Sequence, residues 1–388
     1  MMRRSFLKSA TAAGVLLSID PLNAAAPSMR TKWVVRGSEG FDALSFLSPL
    51  SGDPFYLDYY KDAVARFAPR MPGEAIATLK TLKGQAEKAK ILLSPFVDVR
   101  FSAAPDVTID DLLASAAEPD ARILPAFGAS PYWDPADASD WPQFKAALPG
   151  LQSVLQALKA AGFAQFRREI IGPKQSRMEE LKTKLAAFDP IAGAEFYTGR
   201  RFDPAIEIIL LEFCKPHGIK VIGQRFLSAI DWPDDVHIRT AGHEILHPPL
   251  DKASLAWTTA LKVLEKDPLL ARIVKEHDPK FGYNSLDGLF EEDLVSSLDQ
   301  LIAERFGVAR KPRERWNEVD DGMHVLSAGL YGLMKQDGYA SAGGNLEQWL
   351  LRQAKSGALA PASLHLAAAR VLGRPVDRLW PAPSSTSA

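Results

Sequence analysis

The sequence has a single cysteine, Cys214, among its 388 residues, and it carries almost no net charge. One cysteine excludes an intramolecular disulfide, so stability must come from the apolar core. The 46 basic and 47 acidic side chains give a formal net charge of −1, which indicates neither a nucleic acid nor an anionic membrane surface as partner. The GxGxxG, phosphate-loop, GxSxG and CxxC motifs are also missing, which argues against nucleotide-binding, serine-hydrolase and thiol-redox enzymes.

No apolar run suggests a membrane span, and the first residues instead have the layout of an export signal. A basic start is followed by a modest apolar run from Ala10 to Leu17 and by small residues at Ala24–Ala26. Residues 3–8, RRSFLK, resemble the twin-arginine signal, which implies export of an already folded protein. We therefore expect residues 1–26 to be a signal peptide and the mature protein to be periplasmic or extracellular.

The chain is long enough for two domains or for one large elaborated domain. Hydrophobic residues make up 47% of it, which is ample for a core. Four regions are predicted after the export signal. They are an amino-terminal, mainly helical region (27–195), a catalytic region (196–310), a carboxy-terminal helical region (311–378) and a disordered tail (379–388).

Hydrophobic periodicity predicts an α+β fold that is predominantly helical and contains a small twisted sheet. The clearest amphipathic helices are predicted at 151–163, 176–188 and 285–307. Strand-like runs occur at 32–37, at 205–213 and 219–227 as a pair, and within 91–101. The acidic, proline-rich residues 130–142 are predicted to form a loop.

Residues 243–247, HEILH, form an HExxH pattern, which a chance match would produce in roughly one chain of this composition in a hundred. A helix from Asp234 or Asp235 would carry this pattern and pack against the sheet. Four-residue spacing puts both imidazoles on one helix face, where each can give a nitrogen to one Zn²⁺. Glu244 lies about 100° round the helix from His243, outside the ligand set but close enough to act as general base for a water on the metal.

The strand-then-helix layout of residues 205–247 resembles the zincin metallopeptidases. Pro248 departs from most of that family, and because a residue before proline avoids the α region, His247 is expected to be the last helical residue. No further histidine follows at the metzincin spacing, so the resemblance favours the gluzincin branch, whose third ligand is a glutamate on a later helix. A fainter resemblance, over most of residues 40–310, is to an uncharacterised group of exported bacterial zincin-like proteins.

The helix predicted at 285–307 supplies two candidates for the third ligand, Glu291 and Glu292. Glu292 is preferred because it shares a face with Val295, Ser296 and Asp299, which leaves a partly polar inner face. Both glutamates are also compatible with a solvent-facing position near a helix amino end, where negative charge is favourable. Other candidates for the third ligand are Glu276, His277, Asp278 and His324.

Tyr283 lies nine residues before Glu292 in a glycine-containing loop. The gluzincin resemblance implies a tyrosine in such a place that donates a hydrogen bond to the attacked carbonyl oxygen. His237 lies six residues before His243, off the predicted ligand face, so a surface or capping role is expected for it.

These patterns together predict an exported zinc-dependent hydrolase, most simply a peptidase acting on a peptide or protein. His243, His247 and Glu292 would hold the metal, and Glu244 with Tyr283 would act on the substrate. Two alternatives stay open on sequence alone. One is a non-catalytic envelope protein that retains a zincin shell, and the other is a metal-dependent amidase with a non-peptide substrate. The oligomeric state is not predicted.

Overall fold

The computed structural model describes residues 29–89, 91–134, 137, 139–278 and 281–380. The predicted export signal lies outside the described residues. Of the predicted tail, Leu379 and Trp380 are described, and both are buried. Within the described residues, no helix is both long and apolar enough to cross a membrane.

A four-stranded mixed sheet lies at the centre of the fold, in the order β1-β2-β4-β3. Its strands are β1 (Lys32–Gly37), β2 (Ala205–Leu211), β3 (Ile219–Val221) and β4 (Arg225–Ala229). β2 pairs in parallel with both β1 and β4, whereas β3 runs antiparallel to β4 at the edge. The first strand therefore comes from the predicted amino-terminal region and pairs with a strand of the predicted catalytic region.

The helices before β2 are mostly short, and several begin at a capping side chain, such as Ser38 for α1 and Thr108 for α5. They are α1 (Glu39–Leu50), α2 (Pro54–Phe67), α3 (Gly73–Lys88), α4 (Leu93–Phe101), α5 (Ile109–Ala117), α6 (Pro119–Arg122), α7 (Leu124–Gly128), α8 (Asp140–Ala160), α9 (Phe163–Ile171), α10 (Ser176–Leu185) and α11 (Pro190–Thr198).

The helices after the sheet begin with the one that carries the start of the HExxH pattern. They are α12 (Asp234–Glu244), α13 (Leu255–Leu264), α14 (Pro268–Glu276), α15 (Leu286–Phe306), α16 (Pro312–Glu318), α17 (Val325–Gln336), α18 (Tyr339–Ala342), α19 (Leu346–Ser356) and α20 (Pro361–Leu372). The longest of these, α15, begins at the capping residue Ser285 and ends at Gly307, whose φ of 69° suits glycine.

Both faces of the sheet are covered, because alternate residues of β2 point to opposite sides. Ile206, Ile208 and Leu210 belong to one buried cluster, with α12, α15 and the carboxy-terminal helices. Ile209 and Leu211 belong to a second buried cluster, with the amino-terminal helices α1 to α9. The sheet is thus the middle layer between two helical layers, and α12 packs on the face shared with α15.

The structure confirms the predicted fold class, α+β and predominantly helical, and corrects two local predictions. Residues 91–101 hold helix α4 rather than a strand, since their apolar side chains pack among other helices. The run 219–227 is not one strand paired with its predecessor. It is divided between β3 and β4, and the strand that pairs with β2 is β4, in parallel.

Candidate metal centre

Helix α12 brings His243 and Glu244 to its carboxy-terminal end, and His247 lies in the turn that follows. The prediction that His247 ends the helix is therefore wrong by three residues. Two causes act together. The prolines at 248 and 249 cannot continue the helix, and Lys220 of β3 donates its Nζ hydrogens to the carbonyls of Glu244 and His247, at 2.6 and 2.5 Å.

Three potential ligand atoms converge just beyond this helix end. The Nε2 atoms of His243 and His247 are 3.1 Å apart. The carboxylate of Glu292 on α15 places one oxygen 3.4 Å from Nε2 of His243 and the other 3.7 Å from Nε2 of His247. For comparison, tetrahedral ligands at a zinc distance of ~2.0–2.1 Å lie about 3.4 Å from one another. Among the described residues, these three form the one group of His, Cys, Asp and Glu side chains compact enough to share an ion.

The other nitrogen of His243 is held by a buried carboxylate. Nδ1 of His243 lies 2.6 Å from Oδ2 of Asp299, and Arg315 of α16 donates both terminal nitrogens to the same carboxylate. Burial favours the neutral acid, but the charges and hydrogen bonds of Arg315 and His243 together outweigh it and lower the pKa of Asp299. Asp299 therefore stays ionised and fixes the ring, so that Nε2 is the nitrogen turned towards the cluster.

His247 is held in a similar way, by the glutamate that was the second candidate ligand. Nδ1 of His247 lies 3.1 Å from Oε1 of Glu291, and the other oxygen of Glu291 lies 2.6 Å from Nζ of Lys252. Burial raises the pKa of Glu291, but His247 and Lys252 outweigh that effect and lower it. Glu291 thus contacts the outer nitrogen of a histidine, whereas Glu292 contacts the inner nitrogens of both.

His243 and Glu292 shift each other's pKa. Burial acts to lower the pKa of His243, but Glu292 and Asp299 outweigh it and raise that pKa well above its ordinary value. Burial acts to raise the pKa of Glu292, but the charges of His243 and His247 lower it. The carboxylate of Glu292 is therefore ionised and lies beside two imidazoles, a donor set that suits a divalent cation such as zinc.

Glu244 follows His243 directly on α12 and is not among the converging ligands. Burial is the largest influence on its carboxyl group and raises its pKa, against the opposing charges of His243 and His247. A carboxyl group with a raised pKa is a better proton acceptor than an ordinary one and can later return the proton.

Tyr283 lies close to the cluster, where its hydroxyl is hydrogen-bonded to the carboxylate of Glu292. Its backbone has the unusual φ of 47°, and its ring packs edge-on against His324 at 5.6 Å between centroids. Burial and then the charge of Glu292 raise the pKa of the phenol, so the hydroxyl keeps its proton and can donate it in a hydrogen bond. His324 is itself held between Asp293 and Asp320, at 2.6 and 2.9 Å.

His237 does not have the surface or capping role expected for it. It is fully buried, and its Nδ1 lies 2.8 Å from Oγ of Ser228 on β4. Burial lowers its pKa to about 4, so the ring is neutral and helps to join α12 to the sheet.

The remaining ligand candidates lie elsewhere. Both ring nitrogens of His277 contact backbone carbonyls, those of Ile273 and Gly282. Glu276 is exposed at the end of α14 and, like Asp278, is outside the converging group. His324, described above, bonds to other carboxylates and is outside it too.

Two cavities flank the cluster. The larger, of about 620 Å³, is lined by His247, Glu291, Lys220, Lys252 and Tyr132 among others. The smaller, of about 290 Å³, is lined by His243 and Glu244 together with Arg239, Arg310 and Arg315. His247 therefore lines one cavity and His243 the other, whereas Glu292 lines neither of them.

The sequence placed Asp299 on the face of Glu292 but did not predict its contact with His243, and several other residues that complete this arrangement were not predicted at all. Asp299 lies seven residues after Glu292, two helical turns along the same face, and that spacing was a usable signal. Arg315, Lys220 and Tyr132 come from other segments, and no local pattern marks them.

No protein-family model, curated protein or solved structure matches the chain.

Proposed function

We propose that the protein is an exported zinc-dependent hydrolase, and most simply a metallopeptidase, with His243, His247 and Glu292 as metal ligands. One observation carries the proposal. The inner nitrogens of two histidines and a carboxylate converge, while a separate carboxylate holds the outer nitrogen of each ring. Such outer carboxylates accompany metal-binding histidines because they orient the ring and increase its basicity. Export rests on the signal-like residues 1–26, which lie outside the described residues.

A divalent ion at this site would acidify a water molecule and polarise a substrate carbonyl. The chain's own residues supply the rest of the chemistry. Glu244 takes the proton from the attacking water and later gives it to the leaving nitrogen. Tyr283 keeps its proton and can donate a hydrogen bond to the carbonyl oxygen as negative charge develops there. Asp299 and Glu291 hold the imidazoles in place throughout.

The experiment compares metal content and peptide hydrolysis in wild type, Glu244→Gln and Glu276→Gln. Glu276 is a matched control because it is an exposed glutamate outside the cluster. We expect one zinc ion per chain in all three proteins. Hydrolysis of a mixed peptide library should fall by roughly 10²–10⁴-fold in Glu244→Gln alone, the usual contribution of a general base.

Three outcomes oppose the proposal in different ways. If wild type purified in zinc-containing buffer holds no stoichiometric zinc, the proposed metal site is contradicted. Zinc binding combined with equal hydrolysis by wild type and Glu244→Gln would leave the metal but remove the proposed base. Zinc binding with no cleavage of any peptide would favour the non-catalytic alternative or a non-peptide substrate.

A further inference from the structure

The smaller of the two cavities, here called the arginine cavity, is unusually rich in guanidinium groups. Arg239, Arg310 and Arg315 line about 290 Å³ of space next to His243 and Glu244. A guanidinium group offers five N–H donors in a planar fork that matches a carboxylate. Three of them around one small space therefore favour an anionic, planar ligand group.

The three arginines differ in how firmly they are already paired. Arg315 is held by Asp299, a carboxylate only 6% exposed, and belongs to the support of His243. Arg239 pairs with Asp235 and Arg310 with Glu318, whose side chains are 46% and 63% exposed. Ion pairs as exposed as these typically contribute little to stability, because solvent screens them. Arg310 can therefore turn towards an anionic ligand at little cost, whereas Arg239 would also give up a hydrogen bond to the carbonyl of Val308.

The position of Glu244 indicates which end of a peptide would enter this space. Glu244 lines the arginine cavity, whereas the lining of the larger cavity includes His247 and Glu291 instead. In peptide hydrolysis the proton donor must reach the leaving nitrogen, which belongs to the residue after the cleaved bond. The part of the substrate on the carboxy-terminal side of that bond would therefore lie in the arginine cavity.

We infer that the arginine cavity binds the free carboxy-terminal carboxylate of a peptide, through Arg239 and Arg310. This inference rests on the proposed hydrolase function. The enzyme then releases a short carboxy-terminal fragment. Water adds its oxygen to the carbonyl carbon and the C–N bond breaks. One proton from the water passes through Glu244 to the leaving amine, so no further reactant is needed.

The sizes of the cavities agree with this orientation. About 290 Å³ on the side of Glu244 accommodates a short fragment, and about 620 Å³ on the side of His247 accommodates the longer remainder. The larger cavity also carries Lys220 and Lys252, but Lys220 is engaged with two backbone carbonyls and Lys252 with Glu291. The arginine cavity is thus the better place for a terminal carboxylate.

The test uses one dansylated alanine-rich pentapeptide in two forms, a free acid and a carboxy-terminal amide. With zinc-loaded wild type we expect cleavage near the carboxy terminus and kcat/KM at least tenfold higher for the free acid. Arg239→Gln and Arg310→Gln should lower kcat/KM for the free acid towards that for the amide. Lys311→Gln is the matched control, since Lys311 adjoins Arg310 in sequence, is 80% exposed and pairs with Glu314. It should keep the preference.

Equal kcat/KM for the two peptides in wild type, or loss of the preference in Lys311→Gln as well, would overturn the inference. A second measurement separates this failure from failure of the proposed function. Calorimetric binding of both peptides to Glu244→Gln does not require turnover. Suppose that Glu244→Gln binds the free acid more tightly than the amide, and that adding Arg310→Gln to this variant abolishes the difference. This result supports the carboxylate site even if no peptide is hydrolysed. Equal binding of acid and amide overturns it.

Discussion

The contact of Asp299 with His243 predicts a large effect on zinc binding when one negative charge outside the proposed ligand set is removed. Asp299→Asn keeps the size of the side chain and an oxygen that can accept from Nδ1 of His243, but it removes the charge that Arg315 and the imidazole share. Zinc affinity should fall because the ring becomes less basic and less firmly oriented.

The magnitude follows from the burial of the two carboxylates. Loss of an outer partner of a metal-binding histidine typically lowers metal affinity ~10–100-fold, which is about 1.4–2.8 kcal/mol. Asp299 is 6% exposed and 2.6 Å from its histidine, so its removal belongs at the upper end of this range. Glu291 is 21% exposed and 3.1 Å from its histidine, so Glu291→Gln belongs at the lower end. Asp299→Asn also leaves Arg315 partly buried without its partner, which should destabilise the metal-free protein by about 3 kcal/mol.

The assay is competition for zinc against a chromophoric chelator, with folding of each variant checked by circular dichroism. Wild type, Glu291→Gln and Asp299→Asn should bind zinc with decreasing affinity in that order. An unchanged affinity in Asp299→Asn, or a larger loss in Glu291→Gln than in Asp299→Asn, would refute the reasoning about orientation.

Two further predictions concern stability. Zinc at 100 times its dissociation constant should raise the free energy of unfolding of wild type by about 2.7 kcal/mol, and His247→Ala, which removes one ligand, should lose most of this gain in a denaturant titration. Burial lowers the pKa of the neutral His237 from 6.5 to about 4. Between pH 6.5 and pH 4 the unfolded chain therefore binds more protons at this residue than the folded chain does. The free energy of unfolding should fall by about 3 kcal/mol as pH falls through this range. His237→Asn can keep the bond to Ser228 and should flatten this part of the pH profile of denaturant unfolding; an equally steep profile would show that other groups dominate it.

Local signals were sufficient for much of the fold. Apolar periodicity predicts the long helix at 285–307, and its observed ends agree because Ser285 caps its start and Gly307 stops it. Residues 91–101 were misread because Val97, Val99 and Phe101 favour a strand, whereas packing among the amino-terminal helices selects α4. The parallel pairing of β2 with β4 joins strands separated by β3, and a pairing of that kind leaves no pattern in the sequence.

Local signals likewise predict part of the candidate site, whereas the rest depends on tertiary contacts. Spacing within one helix predicts that His243, Glu244 and His247 act together, and the facing of Glu292 favours it over Glu291; in the structure Glu292 is the one beside the inner imidazole nitrogens. The end of α12 at Glu244 depends on Lys220, which comes from another strand. Contacts of this type arise from tertiary packing, and a single sequence does not encode them in any local motif.

The acids of α15 lead to a last prediction, about protons. Asp299 pairs with Arg315, Glu291 with Lys252 and Asp293 with His324, whereas Glu292 lies beside the two inner imidazole nitrogens and accepts a hydrogen bond from Tyr283. Without a metal, the raised pKa of His243 keeps that ring protonated at pH 7, and metal binding needs its Nε2 free. Zinc binding should therefore release about one proton from His243, and affinity should rise with pH below the pKa of that ring. Calorimetry at pH 7 in two buffers of different ionisation enthalpy measures the number. Release of almost no protons would mean that His243 is neutral before the metal binds. The low pKa of Glu292 would then require another positively charged neighbour.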